Sequence, residues 1–228
     1  MPVISQTRGY MVRWFYYVGR IIVRILLILF TRWQVKGRDN IPGQGPLLVI
    51  VNHLNLADPP ILAVSLNRKA MFMAKEELFR SRLSRYFISG FGAFPVHRGQ
   101  LDRAAIRQAE RVLSESLVLI MFPEATRSRN AQLQTAFNGA ALIALRCSVP
   151  ILPIAVSGTE RIKGVGWLLR RPRITINIGN TFNLPAGNEK STKEKLPELT
   201  TFMMSHIAAL LPSEYRGEYT ETGKTKCH

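Results

Sequence analysis

Four short aliphatic runs, each followed by proline or by a cluster of polar side chains, constrain this chain more than any other feature of its sequence. Leu47–Val51 precedes Asn52 and His53. Ala93–Val96 precedes His97 and Arg98, Leu117–Phe122 precedes Pro123 and Glu124, and Ile151–Val156 precedes Ser157 and Gly158. Runs this short and uniformly apolar read as buried strands, whereas a half-exposed strand alternates. Further strands are expected at Trp33–Lys36, Ala70–Met73 and Ile174–Ile178. Helical patterns fall at Lys75–Ile88, Leu101–Ser114, Ala136–Cys147 and Leu196–Leu211. Strand and helix in alternation predict an α/β fold, a mixed, largely parallel sheet covered by helices on both faces. In such sheets ligands bind beyond the carboxyl ends of the strands, which is where each run puts its polar residues.

His53 and Asp58 are the sharpest of these groups. Asp58 precedes Pro59 and Pro60, the pattern of an N-cap with proline in the first turn, opening a helix through about Leu66. On one continuous helix, side chains five apart would point about 140° away from each other. A turn between strand and helix is therefore required to join them. If the loop folds back, Asp58 accepts a hydrogen bond from one imidazole nitrogen, and the other nitrogen is left to take a proton from a hydroxyl. The competing reading is that Asp58 caps its helix and His53 bonds only backbone. Downstream, Arg98 and Arg127 have the planar donor forks that suit a phosphomonoester, and Thr126 and Ser128 add hydroxyl donors. Glu124 is suited to orienting Arg127 or Arg98, or to accepting a bond from a substrate hydroxyl. A solvated basic face and a surface ion pair are the alternatives for these charges.

Taken in order, His53-x-x-x-x-Asp58, Arg98-Gly99, Pro123-Glu124-x-Thr126-Arg127-Ser128 and Val149-Pro150-Ile151-x-Pro153 resemble the glycerophospholipid acyltransferases, and within them the 1-acylglycerol-3-phosphate acyltransferases. The resemblance covers Ile41 to Ser157. It implies acyl transfer from acyl-CoA or acyl-carrier protein to a lysophospholipid hydroxyl, giving phosphatidic acid, with His53 as base and Asp58 as its partner. It further implies that Arg98, Glu124, Thr126 and Arg127 hold the phosphorylated acceptor, joined by Asn52 and Ser128. Val149, Pro150, Ile151 and Pro153 would help line the acyl-donor site. No metal or cofactor is implied. Three positions depart from the family pattern: Ala125 stands where glycine is usual, Asn138 where lysine is common, and His97 where an acidic residue is frequent. If the family glycine needs a positive φ, Ala125 requires the loop to differ. Glycerol 3-phosphate or another lysophospholipid remains open as the acceptor, as does a non-catalytic, basic, peripheral membrane-binding protein.

The net charge of +16 calls for an anionic partner. Aromatic residues gather in the N-terminal apolar stretch rather than alternating with arginines along a groove, which argues against nucleic acid. In that stretch, from Trp14 to Phe30, Arg13, Arg20, Arg24 and Thr31 fall within about 40° of one another on a helical wheel. The uncharged run Ile25–Phe30 is too short for a membrane span. An interfacial helix is expected instead, with its apolar face in the acyl region and its guanidinium stripe among anionic headgroups; a packed helix of the catalytic domain and a true span are the alternatives. Residues 1–32 are thus expected to form the membrane-interface segment, 33–212 the catalytic domain and 213–228 a polar, poorly ordered tail. Cys147 and Cys227 suggest neither a disulfide frame nor a zinc site. That fits a protein on the cytoplasmic face of the cell membrane, peripheral or monotopic. The segment Trp167-Leu168-Leu169-Arg170-Arg171 is a candidate second membrane contact.

Overall fold

The computed structural model describes residues 13–96, 102–185 and 189–220. Helix α1 (Arg13–Phe30) leads into strand β1 (Arg32–Lys36). There follow β2 (Leu47–Val51), α2 (Asp58–Ser65), β3 (Ala70–Lys75), α3 (Arg82–Gly90), β4 (Ala93–Val96) and α4 (Arg103–Ser114). The chain continues through β5 (Val118–Met121), α5 (Gly139–Cys147), β6 (Ile151–Ser157), α6 (Trp167–Arg170), β7 (Arg173–Ile178) and α7 (Glu189–Leu210).

The strands form one sheet in the order β1, β7, β6, β2, β5, β3, β4. From β6 to β4 every neighbouring pair is parallel. The direction reverses once, between β6 and β7, and β1 runs parallel to β7. All five residues of β2 are buried, as a central strand covered on both faces requires. Its Leu48 and Ile50 pack with residues of α4, α5 and α7, while Leu47, Val49 and Val51 pack with residues of α1 and α2. Two apolar layers therefore sandwich the sheet, as the alternating pattern predicted. Gly158 lets β6 meet β7: at φ 88°, it lies so close to the Arg173 carbonyl that a Cβ would collide with it.

Several boundaries differ from expectation. The helix expected at Lys75–Ile88 is broken: β3 runs on to Lys75, a 3-10 turn covers Glu76–Phe79, and α3 begins after Ser81, whose backbone is extended. Helix α7 starts before the apolar pattern does and contains Pro197, because Glu189 to Lys195 supply helix-favouring charged residues without an apolar stripe.

The orientation of α1 is also corrected. The expected polar stripe does not point outward as a unit. Arg20 donates to the Leu66 carbonyl at 2.9 Å, and buried Thr31 bonds the Leu27 carbonyl. Tyr16 and Leu27 are buried on the same side, against the sheet domain. Val18, Ile21, Ile22, Ile25, Leu26, Ile28 and Leu29 are exposed instead. The physical reason is that the Leu66 carbonyl, just past α2, offers an acceptor that the guanidinium satisfies while its stem packs. Among the described residues, no helix is long and apolar enough to cross a membrane.

The described part of the expected tail is ordered. Short 3-10 turns span Ser213–Tyr215 and Gly217–Thr220. Tyr215 is 8% exposed, its hydroxyl donates to Glu160 at 2.8 Å and its carbonyl accepts from Leu133 N–H. Polar composition concealed two aromatic side chains, Tyr215 and Tyr219, that pack against the core.

Candidate active site

The parallel register decides which polar groups meet. Ile50 of β2 faces Met121 of β5, so three residues further on His53 and Glu124 leave adjacent strands at the same level. The Glu124 carboxylate accepts the His53 backbone N–H at 3.0 Å. Its second oxygen accepts Gln134 N–H at 3.1 Å. Ser128 N–H donates to the His53 carbonyl at 2.8 Å. Both main-chain groups of His53 are thereby held by the loop that follows β5.

The imidazole is held separately. Its Nδ1 lies 2.8 Å from Asp58 Oδ2, and the same oxygen accepts the N–H groups of Leu54 and Asn55 at 2.7 Å each. Asp58 is wholly buried, so these bonds are what keep its carboxylate tolerable in the interior. Asp58 does not cap α2 as expected. Ala57 occupies the cap position without a side-chain bond, and the Asp58 carboxylate turns back over the loop instead. Pro59 and Pro60 make this possible, since each lacks a backbone N–H that would otherwise claim the carboxylate. Phe122 stacks on the imidazole with ring centroids 4.2 Å apart. With Nδ1–H given to Asp58, the neutral ring presents its Nε2 lone pair, which has no hydrogen-bond partner among the described residues. His53 is 6% exposed, so its ring is sheltered from bulk water.

Glu124 is 1% exposed. Burial outweighs its two backbone bonds and pushes its pKa up to about 7, with the Asp58 carboxylate acting in the same direction. It forms no ion pair with Arg127, contrary to one expected role. Thr126 and Arg127 are exposed. Thr126 donates to Gln134 Oε1 at 3.3 Å, and Arg127 has no ion-pair partner among the described residues. An open hollow of about 680 Å³ lies beside Thr126, lined also by Glu124, Gln134 and Phe137 among others. Ala125 sits at φ 55°, in the left-handed region that glycine favours. The methyl group is accommodated as strain rather than by moving the residue out of that region.

Other predicted site residues have different places. The Asn52 side chain makes two bonds to Val156, donating to its carbonyl at 2.9 Å and accepting its N–H at 2.7 Å. It staples β2 to β6 and has no amide group left to offer a ligand along those directions. Ser128 is buried, with its hydroxyl on Asn130. Val149, Pro150, Ile151 and Pro153, expected to help line an acyl-donor site, lie at the start of β6, with Pro150 half-buried. Val149 and Ile151 belong to the apolar core, Pro153 is buried, and Ile151 pairs with Leu48, five residues short of His53. Their apolar character reflects strand packing. Asn138 accepts from Thr200, tying α5 to α7. Arg98 and His97 lie outside the described residues.

Sequence reasoning missed Asn55, Gln134 and Phe122. Asn55 accepts Ala57 N–H, an Asx turn, and donates to the Ile162 carbonyl at 3.1 Å. Its place between His53 and Asp58, in a loop that must reverse, was the available signal. Gln134 acts through its main chain, which sequence does not advertise.

The sheet order and the His53–Asp58 turn define a class, and a family model described as Acyltransferase matches residues 32–157. The chain belongs to that Acyltransferase family. Among its relatives, a Streptococcus pneumoniae protein named 1-acyl-sn-glycerol-3-phosphate acyltransferase is 35% identical over 167 residues, which are 69% of this chain and 61% of that protein. A Bacillus subtilis protein of the same name is 26% identical over 190 residues, 82% of this chain and 92% of that one. The chain spans 48% of the chloroplastic relative from Brassica napus. In fold it is similar to the crystal structure of the 1-acyl-sn-glycerophosphate acyltransferase PlsC from Thermotoga maritima, with a TM-score of 0.60 at 23% identity, covering 89% of this chain and 82% of that one.

Proposed function

We propose that this protein transfers an acyl group from a thioester, acyl-CoA or acyl-carrier protein, to the free hydroxyl of a 1-acylglycerol 3-phosphate, giving phosphatidic acid. The observation that carries the reading is the 2.8 Å contact between His53 Nδ1 and Asp58, which leaves Nε2 as the proton acceptor. The acceptor hydroxyl gives its proton to Nε2 as its oxygen attacks the thioester carbonyl. Asp58 stabilises the imidazolium that forms. Collapse of the tetrahedral adduct breaks the C–S bond, the thiolate takes the proton back from Nε2, and an ester and a free thiol leave. Thr126 and Arg127, three and four residues from the Pro123 end of the loop, supply the phosphate donors; Arg98 joins them on the resemblance alone. Glu124, Ser128 and Asn52 act as positioning residues. No metal or cofactor takes part.

The location we propose is a membrane surface on its cytosolic side, with the outward apolar face of α1 as the contact. The exposed side chains from Val18 to Leu29 support it, as does the unpaired Cys147.

Thiol release from one acyl-CoA, measured against a panel of acceptors, tests the reaction. Wild-type protein is expected to release thiol with 1-acylglycerol 3-phosphate in preference to glycerol 3-phosphate or lysophosphatidylcholine. His53→Ala is expected to lose about 10²- to 10⁴-fold in kcat, and Arg127→Ala to raise KM for the phosphorylated acceptor more than for the donor. Near-normal turnover by folded His53→Ala protein would end the base assignment.

A further inference from the structure

The segment between β6 and β7 carries side chains that no part of the acyl-transfer reading uses. From Lys163 to Arg173 it contains no acidic residue, and Lys163, Arg170, Arg171 and Arg173 are all exposed. Among these cations stand two apolar side chains with almost no cover: Val165 is 83% exposed and Leu169 is 91% exposed. Apolar side chains so exposed are costly in water, and exposed cations beside them, with no ion-pair partner among the described residues, suit one kind of neighbour, an apolar phase with an anionic surface.

Three contacts fix where this tip stands. Trp167 meets Phe30 of α1 edge to face at 6.3 Å. Arg171 donates to the Ile28 carbonyl at 3.4 Å, in the last turn of α1. Asn55, inside the His53–Asp58 turn, donates to the Ile162 carbonyl at 3.1 Å. The tip is thus tied to the end of α1, where Ile28 and Leu29 are also exposed, and through one amide to the catalytic turn.

We propose that residues 163–171 form a second bilayer contact, seated in a surface of anionic phospholipid beside α1. Val165 and Leu169 enter the acyl layer and Lys163 and Arg170 take headgroup phosphates. The tie through Asn55 sets the height of His53 above the lipid from which its acceptor comes. That last step rests on the proposed reaction; the contact itself does not.

The test uses the full chain with vesicles of phosphatidylcholine alone and of phosphatidylcholine with phosphatidylglycerol. Val165→Asp with Leu169→Asp is expected to weaken partition at least about tenfold on both vesicles. Lys163→Ala with Arg170→Ala is expected to weaken it on anionic vesicles only. Both variants should keep the wild-type melting temperature and the wild-type thiol release with a short-chain, monomeric acceptor. Wild-type partition by the double aspartate variant overturns the contact, and so does a change confined to self-association on gel filtration. Absence of thiol release by wild-type protein, with vesicle binding still lost in the variants, would sink the reaction and leave the contact standing.

Discussion

Ala125 and Glu124 sit side by side under opposite kinds of stress. An L-residue in the left-handed region costs about 1 kcal/mol or more, and Ala125 bears that cost at φ 55°. Ala125→Gly is therefore expected to stabilise the fold by about 0.5 kcal/mol, after allowing for the extra freedom glycine has when unfolded. A shift of the urea midpoint with unchanged slope measures it, and a lower midpoint would refute it. Glu124 carries electrostatic stress. Folding raises its pKa from the ordinary carboxylate range to about 7, so the folded chain holds this proton more tightly than the unfolded chain does. Its contribution to stability is fully present below about pH 4.5 and is lost as the pH rises to about 7, a change on the order of 3 kcal/mol. Denaturant titrations from pH 4 to 8 should show this decline in wild-type protein and its absence in Glu124→Gln. An equal slope in both would remove Glu124 as the cause. The presence and charge of Glu124 were legible in the sequence. Its bond to His53 was not, because it depends on the register of two strands 71 positions apart in the chain.

At the scale of elements, the parallel pairing of β2 with β5 and β6 turns separate motifs into one site. Asn52 illustrates how. Its two bonds to Val156 sit in a buried seam, so Asn52→Ala should leave the Val156 N–H and carbonyl without those partners and cost about 2 to 4 kcal/mol. Thermal unfolding checks the size. A loss below about 0.5 kcal/mol would mean that water replaces the amide. The strands were legible almost residue by residue, since uniform burial leaves a plain mark in short apolar runs. The same mark does not separate, at Val149–Pro153, an apolar core strand from an apolar ligand wall. For α1, helical spacing revealed the arginine stripe but not which side would find an acceptor. That depended on the Leu66 carbonyl, 46 residues away. The Asp58-Pro59-Pro60 signal located the helix start correctly and concealed the backward turn of the carboxylate.

Across the whole molecule, the C-terminal segment closes over the loop that holds His53. Tyr215 bonds Glu160 through its hydroxyl and Leu133 through its carbonyl, linking the turn after β6 to the 124–137 loop. Burial and the Glu160 carboxylate push its pKa up to about 12, so the bonded, neutral phenol persists well into alkaline solution. Tyr215→Phe is expected to cost about 1 kcal/mol and to speed hydrogen exchange at Leu133; unchanged exchange there would show that the segment is not a brace. Polar composition hid this role because two tyrosines in a largely polar segment hardly alter an average. One consequence follows from the carboxylate of Glu124, which grips the peptide of His53 with one oxygen and that of Gln134 with the other. Two loops of different strands thus share one side chain, so a displacement of this carboxylate is passed to the His53 peptide and to the wall of the neighbouring hollow alike.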